Sequence, residues 1–114
     1  MLPHKYRLPA NLRLNNPQTY VTPFFVVKFT MNDSTVSRFG FVIGKAVAKD
    51  AVHRNRARRL LRSCIEDRLE DIQNGYDMLF LLKKGIIDSE KETLRTEIEI
   101  FLTRKNLLKA LQTT

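Results

Sequence analysis

Five arginines fall within nine residues, Arg54-Asn55-Arg56-Ala57-Arg58-Arg59-Leu60-Leu61-Arg62, a pattern suited to gripping phosphate. A guanidinium group stays charged, is weakly hydrated and forks onto two phosphate oxygens, so arginine suits a shaped polyanion better than lysine does. No lysine interrupts this window. The stretch reads as the first turns of a long helix, and a helix N-terminus carries partial positive charge that favours acidic neighbours. Here the basic residues come first, and Glu66, Asp67, Glu70 and Asp71 follow. A helix that sets charge against its own dipole implies an external polyanion. The plainer alternative is a solvated charge run, tolerated because Leu60 and Leu61 anchor the other side.

Chemistry within the chain has few candidates. His4 sits in a tail and His53 in the first turn of the basic helix, and neither has a Ser, Cys or carboxylate at a spacing that suggests a triad. His53 reads as a helix-start residue able to donate to phosphate. The four acids after the arginines read either as a metal site or as a solvated face with Arg68 among its partners. Gly40 and Gly44 are too isolated for a phosphate-cradling loop. Cys64 is the only cysteine, so an internal disulfide is impossible, and its place on the apolar side of the helix predicts a small buried hydrophobe.

Charge is distributed unevenly along the 114 residues. Residues 38–62 hold eight of the twenty basic side chains (Arg38, Lys45, Lys49, Arg54, Arg56, Arg58, Arg59, Arg62) against Asp50 alone; that stretch nets +7 of the chain's +8. A basic patch on a nearly neutral body is the footprint of a nucleic-acid binder. The length predicts one domain with a modest core. With no signal-like start and no span-length apolar run, the expected location is cytoplasmic, away from membranes.

The elements that must carry these residues follow from pattern. Residues 1–22, broken by Pro3, Pro9 and Pro17, predict extended or irregular chain with room for one helical turn between Pro9 and Pro17. Phe24–Met31 reads as a strand with Phe25, Val27 and Phe29 on one face and Phe24, Val26 and Lys28 on the other. Arg38–Lys45 reads as a second strand, paired with the first as an antiparallel hairpin. Asp50 is placed to cap a helix from about Ala51 to Gln73, stopped by Asn74-Gly75. Its core arc is Ala57, Leu60, Leu61, Cys64, Ile65 and Ile72, with Asn55, Arg58, Arg59, Arg62 and Glu66 opposite; Arg68 points unexpectedly towards the core side. Met78–Leu82 predicts a central strand covered on both faces. Ser89-Glu90-Lys91-Glu92 has the form of a capping box opening a helix with Leu94, Ile98, Phe101 and Leu102 as its stripe, which residues 105–114 extend or fray. The pattern is α+β, one small single-layer sheet with helices packed on it.

These residues together resemble the bacterial ribonuclease P protein family. The resemblance lies in the strand Arg38-Phe39-Gly40-Phe41-Val42-Ile43-Gly44-Lys45 followed by Ala51-Val52-His53-Arg54-Asn55-Arg56-Ala57-Arg58-Arg59-Leu60-Leu61-Arg62, and continues through roughly residues 23–104. It implies a fold like the second domain of ribosomal protein S5, with a left-handed β-α-β crossover where the general rule favours the right-handed one. It implies a single RNA-binding domain over residues 23–114, whereas the irregular segment expected over residues 1–22 departs from the family, whose first helix is here short or missing. Pro9–Tyr20 lacks the family's aromatic first-helix pattern, Gly44-Lys45-Ala46 replaces a Ser-Lys-Lys pattern, and Lys28 stands where a tyrosine is common.

The implied activity is that of a ribonucleoprotein that removes the 5′ leader from precursor tRNA. In it the RNA subunit, with bound Mg²⁺, performs the hydrolysis, and one protein joins each RNA as a non-catalytic component. By position, Arg54, Asn55 and Arg56 would meet the RNA subunit, with Arg58, Arg59, Arg62, Lys45 and Lys49 extending the contact and Phe24, Val26 and Lys28 forming a possible leader cleft. The rival readings are a ribosomal or other structured-RNA protein without a nuclease partner, a DNA binder laying this helix in the major groove, and a metal nuclease using Glu66, Asp67 or Asp71.

Overall fold

The computed structural model describes residues 2–9 and 13–109. A turn of 3-10 helix at His4–Tyr6 precedes β1 (Gln18–Val21), β2 (Phe25–Met31), β3 (Arg38–Val42), α1 (Ala51–Arg68), β4 (Tyr76–Leu82) and α2 (Lys91–Arg104). The four strands form one sheet in the order β1-β2-β4-β3. β1 therefore draws residues 18–21 of the expected irregular stretch into the sheet. The possible helical turn between Pro9 and Pro17 falls partly outside the described residues, as do residues 110–114 of the expected C-terminal extension.

Alternation divides the sheet into two faces. Phe25, Val27 and Phe29 of β2, Phe39 of β3, and Met78, Phe80 and Leu82 of β4 are buried. Against them lie Ala57, Leu61, Cys64 and Ile65 of α1 and Leu94, Ile98, Phe101 and Leu102 of α2. Phe101 is the hinge of this core, with Tyr20, Phe29 and Phe80 ring centroids 5.1, 5.4 and 6.2 Å away in tilted or edge-on contacts that suit the ring quadrupole. Leu79 and Leu81 face the other way and stay half-buried, so the central strand is covered by helices on one face only.

The expected hairpin does not form. β4 inserts between the two strands, antiparallel to β2 and parallel to β3. The loop from Asn32 to Ser37 has six residues, enough to cross the two strand spacings, about 10 Å, that the insertion requires. Its turn is closed by Asn32, whose Oδ1 accepts from Ser34 N at 2.7 Å. A central strand buries Phe80 between Val27 and Phe41 in register, which no pairing of β2 with β3 achieves.

Two helix ends also differ from the sequence reading. α1 stops at Arg68 and tightens into a 3-10 turn at Leu69–Asp71, giving a helix of 18 residues, about 27 Å long. Acids crowd its C-terminal end, which the dipole disfavours, and Gln73 N instead donates to Leu107 O at 2.7 Å while Ile72 is buried. The Asn74-Gly75 stop serves the turn into β4, with Gly75 at φ +89°. The capping box is not made: Ser89 Oγ donates to Ile86 O at 2.7 Å, and Glu90 takes the cap position without a side-chain bond.

Arg68 has a plain explanation. Its Nη1 lies 3.0 Å from Asp71 Oδ2, and its Nε and Nη2 lie 3.0 and 3.1 Å from the two Glu99 oxygens, the Nε hydrogen off the direct line. It thus ties α1 to α2. Cys64 is buried as expected, and burial pushes its thiol up to about 11. A raised thiol pKa keeps the folded form protonated while the unfolded form ionises, so this residue's contribution weakens as pH rises from about 8.5. At pH 9 the native chain should alkylate at Cys64 far more slowly than the chain in denaturant, read by mass; equal rates would contradict the burial. No helix among the described residues is long and apolar enough to cross a membrane.

Candidate nucleic-acid interface

The start of α1 is built by local chemistry. Asp50 caps it, its Oδ1 accepting from Val52 N at 2.9 Å and its Oδ2 lying 3.0 Å from His53 Nδ1. The Val52 N–H holds the Asp50 carboxyl below the usual carboxylate range against the opposing effect of desolvation, and His53 and Arg54 add to the lowering. Beyond the cap the sequence has strong helix formers and neither Gly nor Pro, so the arginines sit on a rigid rod.

Arg54 relieves part of the dipole conflict by folding backwards. Its Nη1 donates to Ala48 O at 2.8 Å and Lys49 O at 2.7 Å, so the guanidinium lies against carbonyls of the preceding turn. That turn is closed by Val47 N donating to Gly44 O at 3.0 Å, and both its lysines, Lys45 and Lys49, are exposed. Arg56 is exposed and donates to Ile87 O at 3.3 Å. Arg58 donates to Asn55 Oδ1, and Arg59 is exposed. Arg62 lies over the Phe41 ring at 5.9 Å, a cation–π distance, and Phe41 is itself stacked on Phe80 at 5.3 Å.

Among the described residues, the ion pairs of arginine fall on Arg38, Arg68 and Arg95, and none falls on Arg54, Arg56, Arg58, Arg59 or Arg62. Arg54, Arg56, Arg58 and Arg62 are thus held by carbonyls, an amide and a ring, and none of the five lies within ion-pair distance of a carboxylate among the described residues. Arg38 is the exception within the basic stretch. Its Nε and Nη2 donate to Asp77 Oδ1 and Oδ2 at 2.9 and 2.8 Å, a bidentate pair whose hydrogen bond and charge raise the arginine pKa further.

The other expected site residues divide. Val26 is half-buried and Lys28 exposed on the open face of the sheet, whereas Phe24 packs against the core beside Gly85. Across the open face the register sets Val21, Val26, Leu81 and Val42 in one row and Thr19, Lys28, Leu79 and Gly40 in the next, without an aromatic ring in either. The metal reading of the acids does not fit their surroundings: Asp67 pairs with Lys91 at 3.1 Å and Asp71 with Arg68. Among the described residues no group of three or more potential ligands is arranged around a common point.

Sequence reasoning missed the part played by the N-terminal segment. Leu8 N donates to Phe39 O at 2.9 Å, extending the sheet beyond the edge of β3. A Cβ on Gly40 would lie 3.3 Å from Leu8 and 3.1 Å from Leu79, so glycine there lets Leu8 settle onto the open face. Leu2, Arg7, Leu8, Gly40, Phe41 and Arg62 line a cavity of about 310 Å³, which sets two arginines among apolar residues. A groove of about 640 Å³ opens at the other end of the sheet, among Lys5, Arg13, Thr30, Asn32 and Arg38. No periodicity marks Lys5, Arg7 or Arg13, because pairing with a strand edge leaves no repeat in so short a segment.

Comparison with known proteins points the same way. A family profile described as ribonuclease P matches residues 11–106. The ribonuclease P protein component of Caldanaerobacter subterraneus is 30% identical over 93 residues, 82% of this chain and 79% of that protein. The corresponding protein of Synechococcus is 38% identical over 72 residues, 63% of this chain. The chain spans 54% of the length of the Synechococcus protein and 59% of that of its relative from Pseudoalteromonas translucida. The solved ribonuclease P protein of Staphylococcus aureus superposes with a TM-score of 0.75 at 18% identity, covering 91% of this chain and 98% of that one. That of Thermotoga maritima gives 0.70 at 24% identity, covering 78% and 84%; at these identities the likeness speaks for the fold.

Proposed function

Because the chain belongs to the ribonuclease P protein family, we propose that it is the protein subunit of ribonuclease P, joined one to one with the RNA subunit in the cytoplasm. One observation carries this reading: five guanidinium groups on one rigid helix, none paired with a carboxylate among the described residues. Arg54, Asn55 and Arg56 meet the folded RNA, and Lys45 and Lys49 reach the same backbone from the turn that Arg54 braces. Each phosphate contact displaces condensed counterions, so binding is strong at low salt and falls steeply as salt rises.

The substrate is precursor tRNA, and Mg²⁺ held mainly by the RNA supports the hydrolysis that releases the 5′ leader. The protein's residues orient and neutralise. Arg58, Arg59 and Arg62 continue the basic surface towards the cavity at the edge of β3, where Arg62 and Arg7 can hold the leader's phosphates. Val26 and Lys28 offer the adjoining open face. With aliphatic side chains there, leader contact depends on charge and shape, whereas stacking by aromatic rings would favour bases. The leader thus stays close to the RNA's reactive centre, and less Mg²⁺ is needed to offset backbone repulsion.

Incubation with precursor tRNA, with and without a bacterial ribonuclease P RNA transcript, tests the reading. At limiting Mg²⁺ the RNA alone should cleave slowly, the protein alone should not cleave, and the two together should cleave fast at the mature 5′ end. Cleavage by the protein alone would revive a nuclease, and no gain over RNA alone would favour a structured-RNA binder with another partner.

A further inference from the structure

The turn between β4 and α2 is tied to the arginine helix by a bond that no local rule anticipates. Arg56 Nη1 donates to Ile87 O, and Ile87 N in turn donates to Lys84 O at 3.2 Å. Lys84 therefore stands one tight turn from the carbonyl that holds Arg56.

The turn is rigid, and its two adjacent lysines have different jobs. Lys83 is half-buried and faces inwards: its backbone N donates to Phe24 O at 2.9 Å and its Nζ to Thr22 O at 3.0 Å. Thr22 Oγ1 reciprocates by accepting from Phe24 N and Phe25 N at 3.1 and 3.0 Å. Gly85 fits where a Cβ would lie 2.7 Å from Pro23 O, and Ile86 is fully buried. Lys84, between these anchors, is exposed and joins no ion pair among the described residues. Asp88 is the acid of the same loop and is also in no such pair.

We propose that the Lys83–Ile87 turn is a further limb of the RNA interface, in which Lys84 binds a phosphate of the RNA subunit next to the one held by Arg56. This rests on the reading above that the arginine helix faces that RNA. A lysine is a point charge on a flexible stem, and ordinarily ordering it costs most of what it gains. Here the backbone beneath it is already fixed by Lys83, Gly85 and Ile86, so only the side chain itself is ordered on binding. Arg56 can leave its long carbonyl contact for a phosphate, and the two cations then face one segment of backbone from two elements of the fold.

The test is the salt dependence of binding to a bacterial ribonuclease P RNA transcript, for the full chain and for Lys84→Ala, Lys84→Arg and Arg56→Ala. Losing one phosphate contact lowers the log–log slope by about 0.7–0.9, so affinity lost between 50 and 200 mM salt shrinks by about threefold. Lys84→Ala should show that change and Lys84→Arg should not. An unaltered slope for Lys84→Ala beside a reduced one for Arg56→Ala would overturn this limb while leaving the subunit assignment intact. Unaltered slopes for both would overturn the assignment on which it rests.

Discussion

Alanine at both Arg54 and Arg56 should weaken binding to a ribonuclease P RNA transcript by roughly a hundredfold. A hydrogen bond to a charged group contributes about 1.5–3 kcal/mol, so two lost contacts amount to about 3 kcal/mol, or two decades in affinity. The slope of log affinity against log salt should flatten by about 1.4–1.8 for two phosphates. Filter binding at several salt concentrations measures both quantities, and an unchanged slope would remove these residues from the phosphate contacts.

The two single variants should separate, because the structure uses the two side chains differently. Arg56 has one long contact to a carbonyl at the surface, so Arg56→Ala should leave the melting temperature unchanged and alter only RNA binding. Arg54 bonds to the carbonyls of Ala48 and Lys49, so its loss also loosens the turn that presents Lys45 and Lys49. Those carbonyls can still meet water, and the stability cost is therefore about 1 kcal/mol. Arg54→Lys preserves charge but not the fork, and should fall between wild type and alanine in affinity.

How far the sequence disclosed this arrangement depends on the range of the forces involved. Asp50 as cap, the helix from Ala51 and its buried row of Ala57, Leu61, Cys64 and Ile65 follow from contacts within a few residues, and all were legible. So was the crowding of arginines at one helix end. Neither the place of β4 nor the end of α1 could be read the same way. β4 inserts because Phe80 fits between Val27 and Phe41, residues 53 and 39 positions away in the chain. α1 ends early because Gln73 bonds to Leu107, which lies past the last helix. Ser89 has the composition of a cap, but its hydroxyl finds the nearer Ile86 carbonyl first. In the interface the same divide holds: residue types marked the arginines, and only tertiary pairing brought Arg7 beside Arg62 or Ile87 beneath Arg56.

Arg38 shows why position in a basic stretch does not establish a role in binding, and its partner should be the most sensitive polar residue of the fold. Asp77 is 4% exposed and sits opposite Arg38 in the β3–β4 register. Besides the bidentate pair it accepts from Asn32 Nδ2 at 2.8 Å, and that amide also donates to Val36 O at 3.2 Å. The carboxylate thus joins β3, β4 and the loop that crosses between β2 and β3. Asp77→Ala leaves Arg38 and Asn32 without their acceptor, and breaking a buried pair in this way costs about 3–5 kcal/mol. Arg38 can still reach water, its side chain being 29% exposed, which places the expected loss near the lower limit, about 3 kcal/mol. For a domain near this size that lowers the melting temperature by on the order of 15 °C. Removing both charges should cost less than the sum of the two single losses, since the cycle Arg38→Ala, Asp77→Ala isolates their coupling. The same cycle bears on function. Arg38 already has its anion, so Arg38→Ala, measured where the variant is folded, should leave the salt slope of RNA binding as it is in the parent chain. A flattened slope would place Arg38 in the proposed interface and break the distinction between arginines that hold the sheet and arginines proposed to hold RNA.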